Sequence, residues 1–483
     1  MLYNAFKRVV DRFPENIAVV ADGQRLTYAA LDAGIDALAS QLCNRGLSSG
    51  DAVLVLLPNS VEFVTSIFAL MKCGMVAVPV NTRFPAQEIE YYIETSGARA
   101  VVHTAEHGAM LETIAPGVCA IDIATLTDGL PLGESVAGLP EVTPQMSALY
   151  MYSSGSTGKP KRVTRTHQQI FSEAHALTET IALSERDAIL CTVPLYHAHG
   201  FSNTMMAALL NGGKLVIMSG EFNPREALRA VEREGITIYP AVPFMFKMIG
   251  ETFFKQMPDI RSLRLAFSAG AALPHEIWER FKQTFDVDVR QLYGSSETGA
   301  VAINYQGGEG SQASVGLPLQ GVVIEVLDEA GQPLGADQVG EIAINSPAMT
   351  HQYDGLPDVT AECFKHEWFM PGDLATKDAS GRIYITGRKK LLINVAGYKV
   401  DPLDVETVIK DYPKVADVVV VGTPDANYGE MVKAVVVAGE ACNPQEIIDH
   451  CAARLAEYKV PKRVEFRDEI PRSPLGKVLR KYL

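Results

Sequence analysis

An apolar rhythm near the start of the chain does most to limit what it can fold into. The run DAVLVLLPNS (51–60) is short, apolar and bounded by turn residues. VEFVTSIFALMKCGMVAVPV (61–80) follows, broken by Glu62, Lys72 and Pro79, and reads as a buried helix running into a strand. Strand, helix and strand at this spacing form a β-α-β unit, whose crossover makes the strands parallel. Upstream, TYAALDAGIDALASQLCNRG (27–46) places apolar residues at helical spacing and stops at Gly46, where a glycine cap is expected. The rhythm recurs through LVIMSG (215–220), a helix over Pro224 to Glu234, ITIYPAV (236–242) and LRLAFSAGAAL (263–273). An α/β fold with mainly parallel sheets is therefore expected.

From Gly321 the pattern changes to short strands between glycine-rich turns, VVIEVLD, GEIAINS and RIYITGR, which suggests a small β-barrel-like unit over 321–387. Beyond Arg388 the chain starts again, with helices in LDVETVIKDY and PQEIIDHCAARLAEY and strands in ADVVVVGTPD and VKAVVVAG. That is enough for a separate α+β domain. The expected division is 1–387 and 388–483, with the boundary at Gly387–Lys390, and the 483 residues suit several cores rather than one.

Charge and cysteine usage narrow the partners. A formal net charge of −14 opposes nucleic acid or anionic membrane, which require clustered Lys and Arg. The seven cysteines (Cys43, Cys73, Cys119, Cys191, Cys363, Cys442, Cys451) are odd in number and scattered without a C-x-x-C pair, the pattern of a reduced, cytoplasmic protein. LYNAFKRVVDRFPE (2–15) lacks the apolar core of a signal peptide, and no run approaches the ~18 apolar residues of a membrane span.

The most informative segment for chemistry is YMYSSGSTGKPKRV (150–163). Gly155 and Gly158 allow close approach to a phosphate, Ser153, Ser154, Ser156 and Thr157 offer hydroxyls, and Lys159 adds charge. It is not a Walker loop, because Pro160 follows Lys159 and no glycine stands at the required spacing. By composition alone, a flexible Gly/Ser loop is an equal reading.

SSGSTGKPK nonetheless resembles the phosphate loop of the adenylate-forming superfamily, which holds acyl- and aryl-CoA synthetases, peptide-synthetase adenylation domains and beetle luciferases. Further motifs follow in that family's order, from LTYAALD (26–32) to PRSPLGKVLRKYL (471–483), so the resemblance spans essentially the whole chain. QLYGSSET (291–298) is similar to the family's Y-G-x-[ST]-E element. The match implies that Tyr293 stacks on adenine within a turn that includes Gly294 and Ser295, that Ser296 bonds the α-phosphate, and that Glu297 binds Mg²⁺. Gly270 and Ala271 are implied at the adenine edge. WFMPGDLA (368–375) resembles the T-G-D element, with Pro371 in place of threonine and Asp373 implied to accept the ribose hydroxyls. GRKKLLINVAGYKVDPLDVE (387–406) is similar to the hinge motif. It implies Arg388 on ribose or phosphate, Lys390 as the hinge of a mobile C-terminal domain, and Gly397 beside a tunnel for the thiol; Leu391 replaces a common acidic residue. Lys477 matches the family's catalytic lysine, preceded by Pro474, Leu475 and Gly476.

PLYHAHGFS (194–202) resembles the motif lining the acid pocket, with His197 as its gate. Phe201, Val242, Met245, Ala269, Gly270 and Tyr305 are implied as the remaining wall. No aspartate stands between Pro194 and Asn203 to hold an amino-acid ammonium, which disfavours that substrate. The implied activity is an ATP-dependent acid:CoA ligase for an aryl or medium-chain acid, using ATP, Mg²⁺ and CoA, with Lys477, Thr157, Glu297 and His197 at the reacting groups. Loading of a carrier-protein phosphopantetheine, a luciferase-like oxygenase and a non-catalytic family member are the alternatives.

Overall fold

The computed structural model describes residues 1–127, 141–153, 160–308, 310–395, 398–425, 429–473, 476 and 478–483; for Lys390, Lys399, Gly429 and Lys481 it describes the backbone alone. The chain divides into two compact units, Met1–Val323 with Ile344–Phe369, and Ile324–Ala343 with Met370–Leu483.

The expected β-α-β unit forms as strand Ala52–Leu56, helix Val61–Lys72 and strand Val76–Pro79, and the two strands pair in parallel. Every residue of Ala52–Leu56 is buried, as a parallel strand covered on both faces requires. Ser60 starts the helix by accepting a hydrogen bond from the Phe63 amide at 3.2 Å. Among the described residues this sheet runs Cys119–Asp122, Ala100–His103, Ala52–Leu56, Val76–Pro79, Ser147–Ser153, Lys161–Thr166, and only its last pair is antiparallel.

A second sheet in the same unit has six parallel strands at its centre, in the order Val289–Ser295, Leu265–Ser268, Ile238–Ala241, Ala188–Cys191, Lys214–Ile217 and Ile17–Ala21. Antiparallel strands finish both edges: Gly299–Ile303 and Leu317–Pro318 on one, Gln24–Thr27 on the other. Two of the helices keep their expected bounds to within a residue or two. Pro224–Glu234 lies between the Asn223 cap and Gly235 at φ +60°. Tyr28–Asn44 is capped by Thr27, with Gly46 left-handed just beyond its end at φ +79°.

In the second unit, Asp373–Lys377 pairs antiparallel with Ile383–Arg388 and with the start of Gly340–Asn345. Its apolar core is built from Val405 and Ile409 on helix Pro402–Lys410, Val418 and Val420 on Val415–Asp425, Val432, Ala434 and Val436 on Gly429–Ala438, and Ile447 on helix Pro444–Ala452. That last helix is shorter than expected: the chain turns after Ala452 and forms only a 3₁₀ turn at Glu457–Lys459. Among the described residues no helix is long and apolar enough to cross a membrane.

Candidate functional site

The two strands that flank the phosphate-loop motif pair antiparallel, Ser153 opposite Lys161. Ser153 is half-buried; Ser154, Gly155, Ser156, Thr157, Gly158 and Lys159 lie outside the described residues. The strand Lys161–Thr166 alternates, so Lys161, Val163 and Arg165 share the buried face. Lys161 places its ammonium 4.7 Å from the centre of the Tyr353 ring. From the opposite face, Arg162 Nε donates to Asp354 at 3.0 Å, and Thr164 bonds the same carboxylate.

The turn after Tyr293 is held tightly. The strand bulges between Tyr293 and Gly294, and a Cβ on Gly294 would fall 2.3 Å from the Gly299 carbonyl, so backbone passes against backbone there. Ser295 Oγ accepts from the Thr298 amide at 3.2 Å. Ser296 is half-buried and its carbonyl accepts from Arg165 Nη1 at 3.2 Å. Glu297, only 7 % exposed, accepts from the Tyr353 hydroxyl at 2.8 Å, and its carbonyl accepts from the Thr350 amide at 2.8 Å. Burial first, then the adjacent Glu297 carboxylate, drives the Tyr353 phenol well above its ordinary range, so it stays a donor. No described Lys or Arg is ion-paired with Glu297. A buried carboxylate whose described partner is a neutral phenol fits a hard cation that also takes phosphate oxygens. Among the described residues no cluster of three His, Cys, Asp or Glu forms a metal cage.

At the segment 194–202, Asn59 brackets the PLYH loop, donating to the Val193 carbonyl at 2.9 Å and accepting from the Leu195 amide at 2.8 Å. Half-buried His197 precedes the short helix Ala198–Gly200, which leads into a π-helix, Phe201–Met206. Gly200 is required there, because a Cβ would lie 2.2 Å from the Pro194 carbonyl. His199 donates from Nε2 to the Ala241 carbonyl at 3.1 Å, and Asn203 Nδ2 lies 3.0 Å from its Nδ1. Burial holds its pKa down to about 4, so the ring is neutral.

Val242, Met245 and Ala269 are buried just beyond the carboxyl ends of strands Ile238–Ala241 and Leu265–Ser268. Exposed Gly270 and Ala271 follow, with Gly270 at φ +85° and Val242 Cγ1 3.9 Å from its Cβ position. Ligands in open α/β sheets bind at this end of the strands. Phe201 is fully buried on the π-helix, two residues from His199, which reaches this end through the Ala241 carbonyl. Tyr305 is not brought here and is corrected as a wall residue. It lies beside Arg264, where Leu265–Ser268 begins, because antiparallel Gly299–Ile303 returns the chain to the far end of the sheet.

In the second unit, Asp373, 6 % exposed, pairs across the strands with Arg388, whose Nε donates to its Oδ1. The tight approach continues at Gly387, where a Cβ would meet Asp401 Oδ2 at 2.2 Å. Next to Pro371, Gly372 is left-handed at φ +78° and its carbonyl accepts from the Lys389 amide at 2.7 Å. Lys390 lies in the 3₁₀ turn Lys389–Leu391. Gly397, Pro474, Leu475 and Lys477 lie outside the described residues. Among the described residues of the C-terminal segment, Arg472 forms a β-bridge with Val478, donates to the Gly476 carbonyl at 3.1 Å and pairs with Asp417 at 2.6 Å.

Sequence reasoning missed Tyr353, Arg165 and Glu173. Arg165 and Glu173 are each only 2 % exposed and form an ion pair at 3.0 Å. A signal existed: Arg165 is in phase with Val163, and Glu173 lies on the stripe of Ile170, Ala174, Leu177 and Ile181, so both charges stand where an apolar residue belongs.

The AMP-binding enzyme family model matches residues 6–354, and the model of the AMP-binding enzyme C-terminal domain matches 404–477. The chain is 33% identical over 476 residues to a feruloyl-CoA synthase of Amycolatopsis sp, covering 97% of this chain and 95% of that one. It is also 33% identical over 493 residues to the fatty acid–acyl-carrier-protein ligase ScoC of Streptomyces coeruleorubidus, covering 97% and 93%. ATP-bound MatB from Rhodopseudomonas palustris superposes with a TM-score of 0.91 at 27% identity, covering 100% of this chain and 98% of that one.

Proposed function

We propose a two-step reaction for this chain, which belongs to the AMP-binding enzyme family and is an AMP-forming acyl- or aryl-CoA synthetase. In the first step a carboxylate attacks the α-phosphate of ATP, giving an acyl-adenylate and pyrophosphate. In the second, the CoA thiolate attacks the acyl carbon and AMP leaves. The observation that carries the reading is the buried Glu297, without an ion-paired Lys or Arg among the described residues and donated to by Tyr353. Mg²⁺ held by Glu297 would supply neutralisation of the triphosphate charge.

The chain's own residues take the remaining parts. Tyr293 stacks on adenine with Gly270 and Ala271 at its edge, and Ser296 orients the α-phosphate. Ser153, Ser154, Gly155, Ser156, Thr157, Gly158 and Lys159 cradle the phosphates. Asp373 holds the ribose, and Arg388 the ribose or a phosphate. Lys477 stabilises the charge that builds during attack. Residues 388–483 turn about Lys390 between the half-reactions, opening a thiol path beside Gly397, with His197 as the gate of the acid pocket. One site serving two reactions gives a moving domain its purpose. Buried Phe201, Val242, Met245 and Ala269 suit an aryl or medium-chain acid, and a cytoplasmic location belongs to the same reading.

The test is pyrophosphate release from MgATP across aryl, short-, medium- and long-chain acids, with and without CoA. Acid-dependent release, with AMP and an acyl-CoA appearing when CoA is added, is the expected result. The likeness to ScoC supports a second reading, transfer to a carrier-protein thiol, which adenylate formation without use of CoA would favour. Silence with every acid would overturn both.

A further inference from the structure

The buried pair Arg165–Glu173 does more than fill the core. Arg165 Nη2 donates to Glu173 Oε2 at 3.0 Å, while its Nη1 donates to the carbonyl of Ser296 at 3.2 Å. Glu173 Oε1 accepts from the Ala300 amide at 3.0 Å. The two side chains therefore hold both ends of the turn Ser296–Ala300, which presents Glu297. Glu173 Oε2 also accepts from Ser202 Oγ at 3.0 Å, on the π-helix beside Phe201. Gly299 gives an independent sign that the turn is shaped around this carboxylate: at φ +68°, a Cβ there would stand 2.3 Å from the Glu173 carboxyl carbon.

We propose that Arg165 and Glu173 are positioning residues for adenylation, a clamp that sets the nucleotide turn and the acid-side π-helix against one another so that phosphate and carboxylate meet in register. The proposal rests on the ligase reading above. A clamp through a buried ion pair, bonded through both Nη atoms of Arg165 and both oxygens of Glu173, has little freedom, which suits a role in orientation; among the described residues only Arg165 Nε is left without a partner in it. Neither residue touches the reacting atoms in this scheme; both act through Ser296, Ala300 and Ser202.

Stability and positioning can be separated. Arg165→Met alone leaves Glu173 as an uncompensated buried charge and lowers the unfolding midpoint, whereas Arg165→Met/Glu173→Leu removes both charges and recovers part of that loss, the Ser296 carbonyl and Ala300 amide losing their partners in the pair. In the folded double variant the clamp predicts about tenfold weaker MgATP binding, measured calorimetrically, and higher KM for both MgATP and the acid, with kcat changed less. A folded double variant with wild-type MgATP affinity and KM values would overturn the proposal and leave the pair purely structural. Should that variant not fold, Glu173→Gln, which keeps the shape but loses the charge and one acceptor, is judged by the same measurements. A wild-type protein that binds no MgATP would overturn the clamp and the ligase reading together; wild-type binding with unaltered variants would overturn the clamp alone.

Discussion

The hydroxyl of Tyr353 donates a 2.8 Å hydrogen bond to Oε1 of Glu297, and both side chains are buried. The two residues are 56 positions apart in sequence and meet within one compact unit, where the Thr350 amide also bonds the Glu297 carbonyl. Tyr353 thus orients the carboxylate assigned to the metal.

Tyr353→Phe keeps the ring under Lys161 and removes only the donor. A hydrogen bond to a charged group contributes about 1.5–3 kcal/mol, so the unfolding midpoint of the ligand-free protein should fall, and KM for MgATP should rise severalfold as the carboxylate loses its orientation. An unchanged dependence on MgATP would remove Tyr353 from the site.

Glu297→Gln retains size and loses charge. If the carboxylate holds the metal, pyrophosphate release should fall about a hundredfold or more, with partial recovery as Mg²⁺ is raised to tens of millimolar. In the unaltered protein, EDTA should abolish release and added Mg²⁺ restore it. A variant with normal turnover at ordinary Mg²⁺ would defeat the assignment.

Lys477→Ala should abolish adenylate formation while sparing thioester formation from supplied acyl-adenylate, because the ammonium answers charge that develops only in the first attack. Single-turnover assays of each half-reaction check this. Equal loss of both would refute the division of labour.

His199 makes folding depend on pH. Its folded pKa, held near 4 by burial, lies below the ordinary 6.5, so the unfolded chain binds more protons between these values. The stability it contributes is present above about pH 6.5 and is lost as pH falls through that window. The linkage amounts to about 2 kcal/mol between pH 7 and pH 5. Chemical denaturation of wild type and His199→Gln at both values should show the wild type losing more by about that amount. Parallel losses would mean the ring is not held neutral.

Much of the architecture was legible because its signals are local. Asn223, Pro224 and Gly235 mark both ends of one helix, and the apolar run of Ala52–Leu56 marks a strand buried on both faces. The family's motifs led to Tyr293, Glu297 and Asp373 for a similar reason: each stands in a short segment whose glycines and turn residues belong to that segment alone. The antiparallel strands Gly299–Ile303 and Leu317–Pro318 were not anticipated, since a short apolar run carries no mark of its direction.

By itself the sequence determined the alternation of strand and helix, the caps that bound the helices and the residue types able to meet a phosphate, a ribose and a metal. These depend on side chains within about one turn of each other. Tertiary structure alone decided that Glu173 meets Ala300, 127 positions away, that the Tyr353 hydroxyl bonds Glu297, and that Tyr305 stands beside Arg264, away from Val242 and Ala269. Those outcomes follow from strand order and direction, which arise when distant apolar faces are buried together, and no local pattern encodes where such faces will bring a polar group.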